Sequence, residues 1–487
     1  MVTMENGVSN GSAARLPHVV MLATPGMGHL IPLAELAKRL AARHGVTATL
    51  IALASTVSVT QRAFLASLPP SITSLHLPPV DLSDLPHGTA IETFMSEECA
   101  RSIPALTQVL TKLKETNRLV AFITDFFGMD SFDAASNAGV ERRYLFIPTN
   151  LHMLMLLLHL PELDLSIPGE FRDLAEPLQL PGCVPIPGMD ILSPLQDRAN
   201  PCYRWMVHHA SRTKEADAIL VNSFDAVEPE AAAVLHQQEL GHPPVYNIGP
   251  LILTRSKSTG VMSTAPPASS RAECLDWLDL QPARSVTFVS FGSGGALPTE
   301  QMRELALGLE LSGQRFLWVV RSPSDEGTVS DNYYDAESKK DPFVFLPEGF
   351  IERTRDVGFL VSSWAPQIDV LSHEATGGFL THCGWNSTLE SLIHGVPMVA
   401  WPLYAEQHQN AVMLDEGIGA VIRLPEPKGK DMIARVVKEL MVGEGKGAAV
   451  RTTVAKLQEN ALQGLTEGGA AATALAELVE KWEVGEN

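Results

Sequence analysis

The sequence predicts an α/β protein of two units, each a parallel β-sheet with helices on both faces. Short apolar runs alternate with stretches of helical apolar spacing, which is typical of a doubly wound sheet. The alternation stops at a Ser- and Pro-rich stretch, 253–271, and then begins again. A chain of 487 residues is also too long for one ordinary core. We therefore expect two similar units that face each other across a cleft.

The first unit is predicted to begin with a buried strand over His18–Thr24, followed by the glycine turn Pro25–His29. A helix is expected to begin at Pro32, because proline is favoured in the first position of a helix. Further strands are predicted at 47–52, 119–125, 218–222 and 245–249. In a parallel sheet the carboxyl ends of the strands meet at one edge, and ligands bind there.

The second unit repeats the pattern, with a strand at 285–290, the glycine turn Gly292–Gly295 and a helix over 299–311. Further strands are predicted at 316–320, 359–362, 378–381 and 396–400, and the polar insertion 322–342 is predicted to be a mobile loop. The expected boundaries are 1–252 for the first domain, 253–283 for the linker, 284–468 for the second domain and 469–487 for a C-terminal helix that packs back on the first domain.

Composition and charge exclude several classes of protein. The chain is 45% hydrophobic and 19% charged, which is typical of a globular protein. A net charge of -20 argues against nucleic acid and anionic membrane surfaces as partners. The most apolar window, Leu151–Leu160, is too short to span a bilayer. The five cysteines are scattered and form no CxxC pair, and no signal peptide precedes Leu16, so a cytoplasmic protein is expected.

His29 and Asp125 are the candidate catalytic residues of the first unit. His29 closes the turn after the first strand and Asp125 ends a later strand, so a parallel sheet would bring both to one edge. A carboxylate behind an imidazole fixes its tautomer and stabilises the imidazolium. Such a pair can take the proton of a hydroxyl group. The alternative is that each residue only caps a neighbouring helix, and the local sequence alone favours that simpler role.

The turn Gly292–Gly295 lies between a strand and a helix, where glycines let the backbone approach a phosphate. The alternative is a tight turn that needs glycine for its own conformation. The turn is not GxGxxG and no Walker lysine follows, which disfavours dinucleotide and P-loop sites. Ser293 is not in a GxSxG elbow either, because Phe291 stands in the place of the first glycine.

The stretch Trp364–Gln407 carries the strongest signal. His382, Asn386 and Ser387 lie where a strand ends and a helix begins, so they could donate to a diphosphate together with the helix amides. Glu390 could accept from ribose hydroxyls, or complete an S-x-x-E capping box that begins at Ser387.

Both ends of this stretch have a functional and a structural interpretation. Trp364 could stack on a base or pack in the core. Glu406 and Gln407 open a helix after Pro402, which could reflect only the preference for acids at a helix start. The functional interpretation is favoured because all these groups fall at the carboxyl ends of successive predicted strands.

Trp364–Gln407 resembles the signature box of plant family-1 UDP-dependent glycosyltransferases along its whole length. The similarity extends to Pro25–His29 and to Val289–Gly295, and in effect covers the entire chain. These flanking segments most resemble the subgroup that glucosylates small phenols such as hydroquinone and monolignols. The resemblance implies the GT-B fold, which is two Rossmann-like domains that face a cleft.

The resemblance also implies a role for each matching residue. His29 would be the base and Asp125 its partner; Trp364 would stack on uracil, and Gln367 and Glu390 would hold the ribose. The implied UDP-binding residues are Ser293, Trp364, Ala365, Gln367, His382, Gly384, Asn386, Ser387 and Glu390. The implied sugar-binding residues are Trp385, Glu406, Gln407 and, from the first unit, Thr149. A glutamine at position 407 is the family's usual pattern for glucose.

The implied reaction is inverting transfer of glucose from UDP-glucose to a hydroxyl of a small phenol, with no metal and no other cofactor. The chain has no D-x-D pair, which metal-dependent transferases of the other common fold use to hold a metal. A monomer is the family expectation, and nitrogen or sulfur acceptors stay open. The composition does not identify the acceptor.

Two other functions are weaker candidates. An NAD-dependent oxidoreductase would need a GxGxxG loop after the first strand, but the loop after Thr24 reads PGMGH. A non-catalytic UDP-sugar-binding protein of the same fold would be favoured if His29 or Asp125 were missing, and both are present. Glucosyl transfer is therefore the preferred hypothesis.

Overall fold

The computed structural model describes residues 15–55, 59–237, 241–253, 269–325, 341–443 and 445–483. Its first sheet contains β1 Pro17–Ala23, β2 Thr47–Leu53, β3 Ile72–Leu77, β4 Arg118–Asp125, β5 Arg143–Ile147, β6 Ala218–Val221 and β7 Val245–Asn247. Its second sheet contains β8 Val286–Ser290, β9 Arg315–Val320, β10 Gly358–Ser362, β11 Thr376–Thr381, β12 Met398–Ala400 and β13 Val421–Arg423. The strand orders are β3-β2-β1-β4-β5-β6-β7 and β10-β9-β8-β11-β12-β13, and the paired strands are parallel.

Helices connect the strands. In the first unit they are α1 Met27–His44, α2 Val59–Ala66, α3 Ile91–Thr116, α4 Ser131–Asn137, α5 Leu151–Ser166, α6 Pro201–Arg212 and α7 Pro229–Leu235. In the remainder they are α8 Ser269–Asp279, α9 Thr299–Ser312, α10 Phe350–Thr354, α11 Gln367–Leu371, α12 Trp385–Ile393, α13 Gln407–Val412, α14 Lys430–Val442, α15 Lys446–Gly464 and α16 Ala470–Glu483. The prediction of an α/β protein with parallel sheets is confirmed.

Both faces of the first sheet are buried. Val20 and Leu22 of β1 pack in the apolar cluster on one face, and Val19 and Met21 pack in the cluster on the other. Successive strand residues point to opposite faces, so a strand covered on both sides reads as an unbroken apolar run. This explains why the apolar runs of the sequence located the strands.

The register between β1 and β4 sets the position of the site. Leu22 of β1 pairs with Thr124 of β4. The next residues along both strands therefore reach the same edge, with the turn that leads to His29 after one and Asp125 at the end of the other. Parallel pairing thus brings together two residues that are almost a hundred positions apart in the chain.

The first helix begins earlier than predicted. Helix α1 begins at Met27, so Pro32 lies inside the helix and His29 lies in its first turn. Gly26 precedes the helix with φ 116°, a conformation that glycine adopts without steric cost. Proline removes one backbone donor inside a helix, and here the helix continues through it.

Part of the predicted linker 253–283 is a helix. Helix α8 buries Cys274 and Leu278 in the core of the second sheet, and Trp277 packs against Phe359 with ring centroids 5.6 Å apart. A helix with an apolar face of this kind packs against a sheet, so it is part of a folded unit and not of a linker. The residues from 269 onward therefore belong to the second unit, while 254–268 and most of the predicted insertion 322–342 lie outside the described residues.

The C-terminal helix α16 packs on the first sheet. Leu478 and Trp482 belong to the same apolar cluster as Val19 and Met21. The indole of Trp482 also donates a hydrogen bond to the Tyr144 hydroxyl at 3.0 Å. The end of the chain thus ties the second unit to the first. Among the residues that the structure describes, no helix combines the length and apolar character needed to cross a bilayer.

Candidate active site

The carboxyl ends of the two sheets meet at a cleft that hydrogen bonds cross directly. The indole of Trp385 donates to the carbonyl of Asn222 at 2.7 Å. Farther along, Asn150 Nδ2 donates to Asn410 Oδ1 at 2.6 Å. Asparagine and tryptophan side chains that follow strands of one sheet therefore contact groups that follow strands of the other.

A third bond across the cleft depends on Pro32. Asn386 Nδ2 donates to the carbonyl of Gly28 at 3.2 Å. In a helix that carbonyl would accept from the amide four residues later, but residue 32 is proline and has no N–H. The proline inside α1 therefore leaves the Gly28 carbonyl available to the second unit, immediately beside His29.

His29 and Asp125 lie together at the first-unit side of the cleft. His29 Nδ1 is 3.3 Å from Asp125 Oδ2, and the Asp125 side chain is fully buried. The amide and hydroxyl of Thr24 donate to the same carboxylate at 2.9 and 2.8 Å. Asp125 Oδ1 also accepts from the Phe127 amide at 3.2 Å, so Asp125 caps the short helix that follows as well as contacting His29.

Nearby carboxylates set the protonation of His29. Burial by itself would lower the pKa of His29, but Asp125, with smaller contributions from Glu406 and Glu92, raises that pKa above its ordinary value. Because Nδ1 faces Asp125, Nε2 is the nitrogen left to meet a substrate. The ring also lies 5.8 Å, centroid to centroid, from Phe127.

Glu92 is a site residue that the sequence did not indicate. It lies in the first turn of α3, and burial raises the pKa of its carboxyl, whose charge also interacts with those of Glu406 and His29. Its Oε2 accepts from the Cys202 thiol at 3.8 Å. An acid in the first turn of a helix is common, so no local signal distinguishes Glu92 from an ordinary helix-start residue.

In the second unit, His382 is enclosed by two glycines. A Cβ atom on Gly292 would lie 2.6 Å from His382 Nε2, and one on Gly384 would lie 2.5 Å from it. Gly292 also has φ 73°, which disfavours any other residue there. Burial lowers the pKa of His382 to about 4, so the ring is neutral near pH 7 and can donate or accept one hydrogen bond at each nitrogen. The turn Gly292–Gly295 thus makes room for this ring.

Gln367, Ser387 and Glu390 form one hydrogen-bonded group. Gln367 Nε2 donates to Ser387 Oγ at 2.9 Å and to Glu390 Oε2 at 2.7 Å. Burial raises the pKa of Glu390 to about 7. The alternative of an S-x-x-E capping box does not apply, because the helix-capping position is Gly384 and Ser387 is already the third residue of α12. Ser387 and Glu390 therefore do not cap the helix, and their side chains lie in one cluster with that of Gln367.

Trp364, Ala365 and Ser293 lie on the same side of the cleft. Trp364 is half-buried after β10, Ala365 is buried, and Ser293 is exposed in the glycine turn. Arg321, which the sequence did not indicate, donates from Nη1 to the carbonyls of Gly292, at 3.3 Å, and Ser293. A guanidinium thus lies directly behind the turn that was predicted to approach a phosphate.

The predicted sugar-binding residues differ in which of their hydrogen-bonding groups are left to contact a ligand. The indole N–H of Trp385 is committed to Asn222, and its backbone amide faces the Glu406 carboxylate. Gln407 Oε1 accepts from the amides of Leu403 and Tyr404 at 3.0 and 3.1 Å, so only its NH₂ group can turn outward. Thr149 is half-buried, one residue before the Asn150 cap of α5.

The chain is similar to known proteins along almost its whole length. Residues 251–446 match the family described as UDP-glucoronosyl and UDP-glucosyl transferase. The chain is 49% identical over 478 residues to UDP-glycosyltransferase 72B1 of Arabidopsis thaliana, covering 96% of this chain and 97% of that protein. It is 47% identical over 475 residues to hydroquinone glucosyltransferase of Rauvolfia serpentina, covering 96% and 98%.

Solved structures show the same architecture. A UDP-glucosyltransferase from Polygonum tinctorium, capable of glucosylating indoxyl and solved with 3,4-dichloroaniline, matches with a TM-score of 0.87 at 45% identity, over 97% of this chain and 100% of that one. UGT2 of Phytolacca americana, complexed with UDP-2-fluoro-glucose and pterostilbene, matches with a TM-score of 0.85 at 42% identity, over 96% and 100%. These matches confirm the GT-B fold, and at such identity and coverage the chain belongs to the plant family-1 UDP-dependent glycosyltransferases.

Proposed function

We propose that the protein transfers glucose from UDP-glucose to a hydroxyl of a small phenol and inverts the anomeric centre to give a β-glucoside. The observation that carries this proposal is the buried His29–Asp125 pair, which lies directly across the cleft from the helix start at Asn386. The names of the relatives, hydroquinone glucosyltransferase among them, support a phenol as acceptor. Nitrogen acceptors stay open, since one related structure holds an aniline.

The acceptor is activated by the first unit. His29 Nε2 takes the proton of the phenol as its oxygen attacks the anomeric carbon, and the bond from that carbon to the UDP oxygen breaks. Asp125 stabilises the resulting imidazolium, since its carboxylate faces Nδ1 at 3.3 Å. A phenol is acidic enough for a base of this strength, because histidine titrates near neutral pH.

The donor is held by the second unit. Trp364 stacks on uracil, and the Ala365 backbone contacts its edge. Gln367, through its side-chain oxygen, and Glu390 accept from the ribose hydroxyls, since the NH₂ group of Gln367 is bonded to Ser387 and Glu390. The diphosphate lies at the start of α12, where the backbone amides and the helix dipole favour negative charge. Its partners are Ser293, His382, Gly384, Asn386 and Ser387.

The glucose lies between the two units. Glu406 accepts from sugar hydroxyls, and the NH₂ group of Gln407 donates to them, since its oxygen is already bonded. Thr149 approaches from the first unit. Trp385 contributes by orienting Glu406 through its backbone amide, because its indole is committed to Asn222. Glutamate and glutamine together can accept and donate at neighbouring hydroxyls of one face of the sugar.

Charge that develops on the leaving UDP is stabilised by the helix start and His382, so the proposed reaction uses no metal.

We also propose a cytoplasmic monomer. All five cysteines are free thiols, which suits a reducing compartment. The net charge of -20 opposes self-association and disfavours anionic partners.

Turnover of a phenol tests the proposal directly. We expect UDP release from UDP-glucose in the presence of hydroquinone, with the rate unchanged by EDTA and a β-glucoside identified by NMR. A coupled UDP-release assay measures the rate, and reactions without hydroquinone or with UDP-galactose are the controls. Binding of UDP-glucose without turnover of any phenol would favour the non-catalytic binding protein. Loss of activity in EDTA would contradict metal independence.

Gly384→Ala tests whether the diphosphate lies beside His382 and Gly384. The backbone of Gly384 has φ -60° and ψ 140°, which alanine adopts freely, so the effect comes from the new Cβ, whose nearest neighbours are atoms of the His382 ring, with Nε2 at 2.5 Å. We expect the affinity for UDP to fall about tenfold or more, because overpacking of this kind typically costs about 1–3 kcal/mol. Calorimetric titration with UDP measures the effect. Gly464→Ala is the matched control, since its Cβ would meet no atom within 4 Å; equal affinity in both variants would count against this position of the diphosphate.

A further inference from the structure

Two buried asparagines join the units behind the proposed sugar site. Asn150, at the start of α5, and Asn410, in α13, are each only 1% exposed. Asn150 Nδ2 donates to Asn410 Oδ1 at 2.6 Å. Unpaired amides are costly to bury, so a hydrogen bond this short between two fully enclosed side chains fixes the separation of the elements that carry them.

Asn410 contacts two segments of the second unit that border the proposed sugar site. Its Nδ2 donates to the carbonyl of Cys383 at 2.9 Å and lies 3.5 Å from Glu406 Oε1. Cys383 has φ 62°, a left-handed conformation that a residue with a side chain rarely adopts. A strained turn of this kind persists only when its surroundings hold it, and the Asn410 bond is one such restraint.

The hydrogen bonds fix the orientation of both amide groups. Asn150 Oδ1 accepts from the Met153 amide at 2.8 Å as the cap of α5, so only its Nδ2 can reach the second unit. If the amide of Asn410 were reversed, its oxygen would face the carbonyl of Cys383 and the carboxylate of Glu406. Asn150 can therefore support only the orientation of Asn410 that holds both groups.

A second contact from the first unit reaches the loop that ends at Glu406. The amide and hydroxyl of Ser193 donate to the carbonyl of Ala405 at 3.1 and 3.2 Å. Ala405 has φ 53°, so the residue just before Glu406 is also in a left-handed conformation. The loop that presents Glu406 and Gln407 is thus held on both sides by first-unit residues.

We propose that Asn410 is a positioning residue for recognition of the sugar, and that Asn150 positions it from the first unit. In this arrangement the sugar-binding geometry is complete only when the two units are in contact. Breaking the contact at Asn150 leaves the UDP site intact, because Gln367 and Glu390 are positioned within the second unit and the hydrogen bond from Asn410 to Cys383 remains. The inference rests on the proposed function, since it assigns Glu406 and Gln407 to glucose.

Asn150→Ser separates this role from that of a helix cap. Serine caps helices as well as asparagine does but is too short to reach Asn410. We expect the affinity for UDP-glucose to fall about tenfold while the affinity for UDP stays unchanged, because one buried hydrogen bond behind the sugar site is lost. Calorimetric titration with both ligands gives the two affinities, and thermal melting checks that the variant is folded. Asn200→Ser is the matched control, because Asn200 caps α6 by accepting from the Cys202 amide at 2.9 Å.

Asn410→Ala provides the second arm. We expect the affinity for UDP-glucose to fall more than the affinity for UDP, which also falls because the Cys383 turn between His382 and Gly384 loses a restraint. We expect the double variant to be no weaker than Asn410→Ala alone, because Asn150 acts through Asn410. Equal losses for UDP and UDP-glucose, additive losses in the double variant, or no loss in Asn150→Ser would each overturn the inference. Failure of the unaltered protein to turn over UDP-glucose, measured alongside, would instead refute the proposed function on which the inference rests.

Discussion

We expect His29→Ala to lose about 10²–10⁴-fold in turnover number while the affinity for UDP-glucose stays unchanged. The imidazole is the group at the first-unit side of the cleft that is placed to take a proton, and its Nδ1 is held by Asp125 at 3.3 Å. Removing it takes away the base without touching Trp364, Gln367 or Glu390. UDP release with hydroquinone measures turnover, and calorimetric titration measures binding.

His44→Ala is the matched control for this variant. His44 is the last residue of the same helix, fifteen positions from His29 and so about 22 Å away along the helix axis. Its removal should leave turnover unchanged. Full activity of His29→Ala would refute the proposed base, and His29 would then have only a structural place in the first turn of α1.

We expect Asp125→Asn to lower turnover by about 10²-fold or more and to shift its pH dependence. An amide cannot balance the charge of an imidazolium. It also cannot accept all the bonds that the carboxylate accepts from Thr24 and Phe127, so some loss of thermal stability is expected as well. Unchanged UDP-glucose affinity would separate the catalytic effect from unfolding.

The direction of the pH shift follows from the pKa of His29. The base works only when neutral, and Asp125 raises the pKa of His29, so activity of the unaltered protein falls as the pH drops through that raised pKa. Without the carboxylate this pKa is lower, and the fall should occur at lower pH. Profiles of kcat/KM against pH test this. Asp133→Asn, whose side chain is 54% exposed, is the control and should keep the original profile; an unshifted profile for Asp125→Asn would contradict the pairing.

Much of the fold followed from local signals. Apolar runs located the strands because both faces of each sheet are covered, and glycine turns marked the strand ends. Parallel order alone predicts that His29 and Asp125 meet at one edge, and the register of β1 and β4 brings them there. The resemblance to a family added the proposed roles within Trp364–Gln407.

The errors of prediction concern where helices begin. Pro32 is predicted to open α1 but lies inside it. The capping box at Ser387, the alternative to its functional role, fails in the same way, because Ser387 is the third residue of α12. Start signals are short and recur by chance, and packing decides which of them is used. Glu92 was missed for a related reason, since nothing in its neighbourhood of the chain marks its charge as interacting with that of His29.

The sequence by itself determined which chemical groups stand at the strand ends, because strand and turn signals are local. Only the tertiary structure decided which of those groups are left to bind a ligand and which are already hydrogen-bonded within the protein. The indole of Trp385 is committed to Asn222, the oxygen of Gln407 is bonded to its own loop, and the carbonyl of Gly28 is freed by Pro32. A donor or acceptor serves few partners at a time, so its availability depends on neighbours that come from distant parts of the chain.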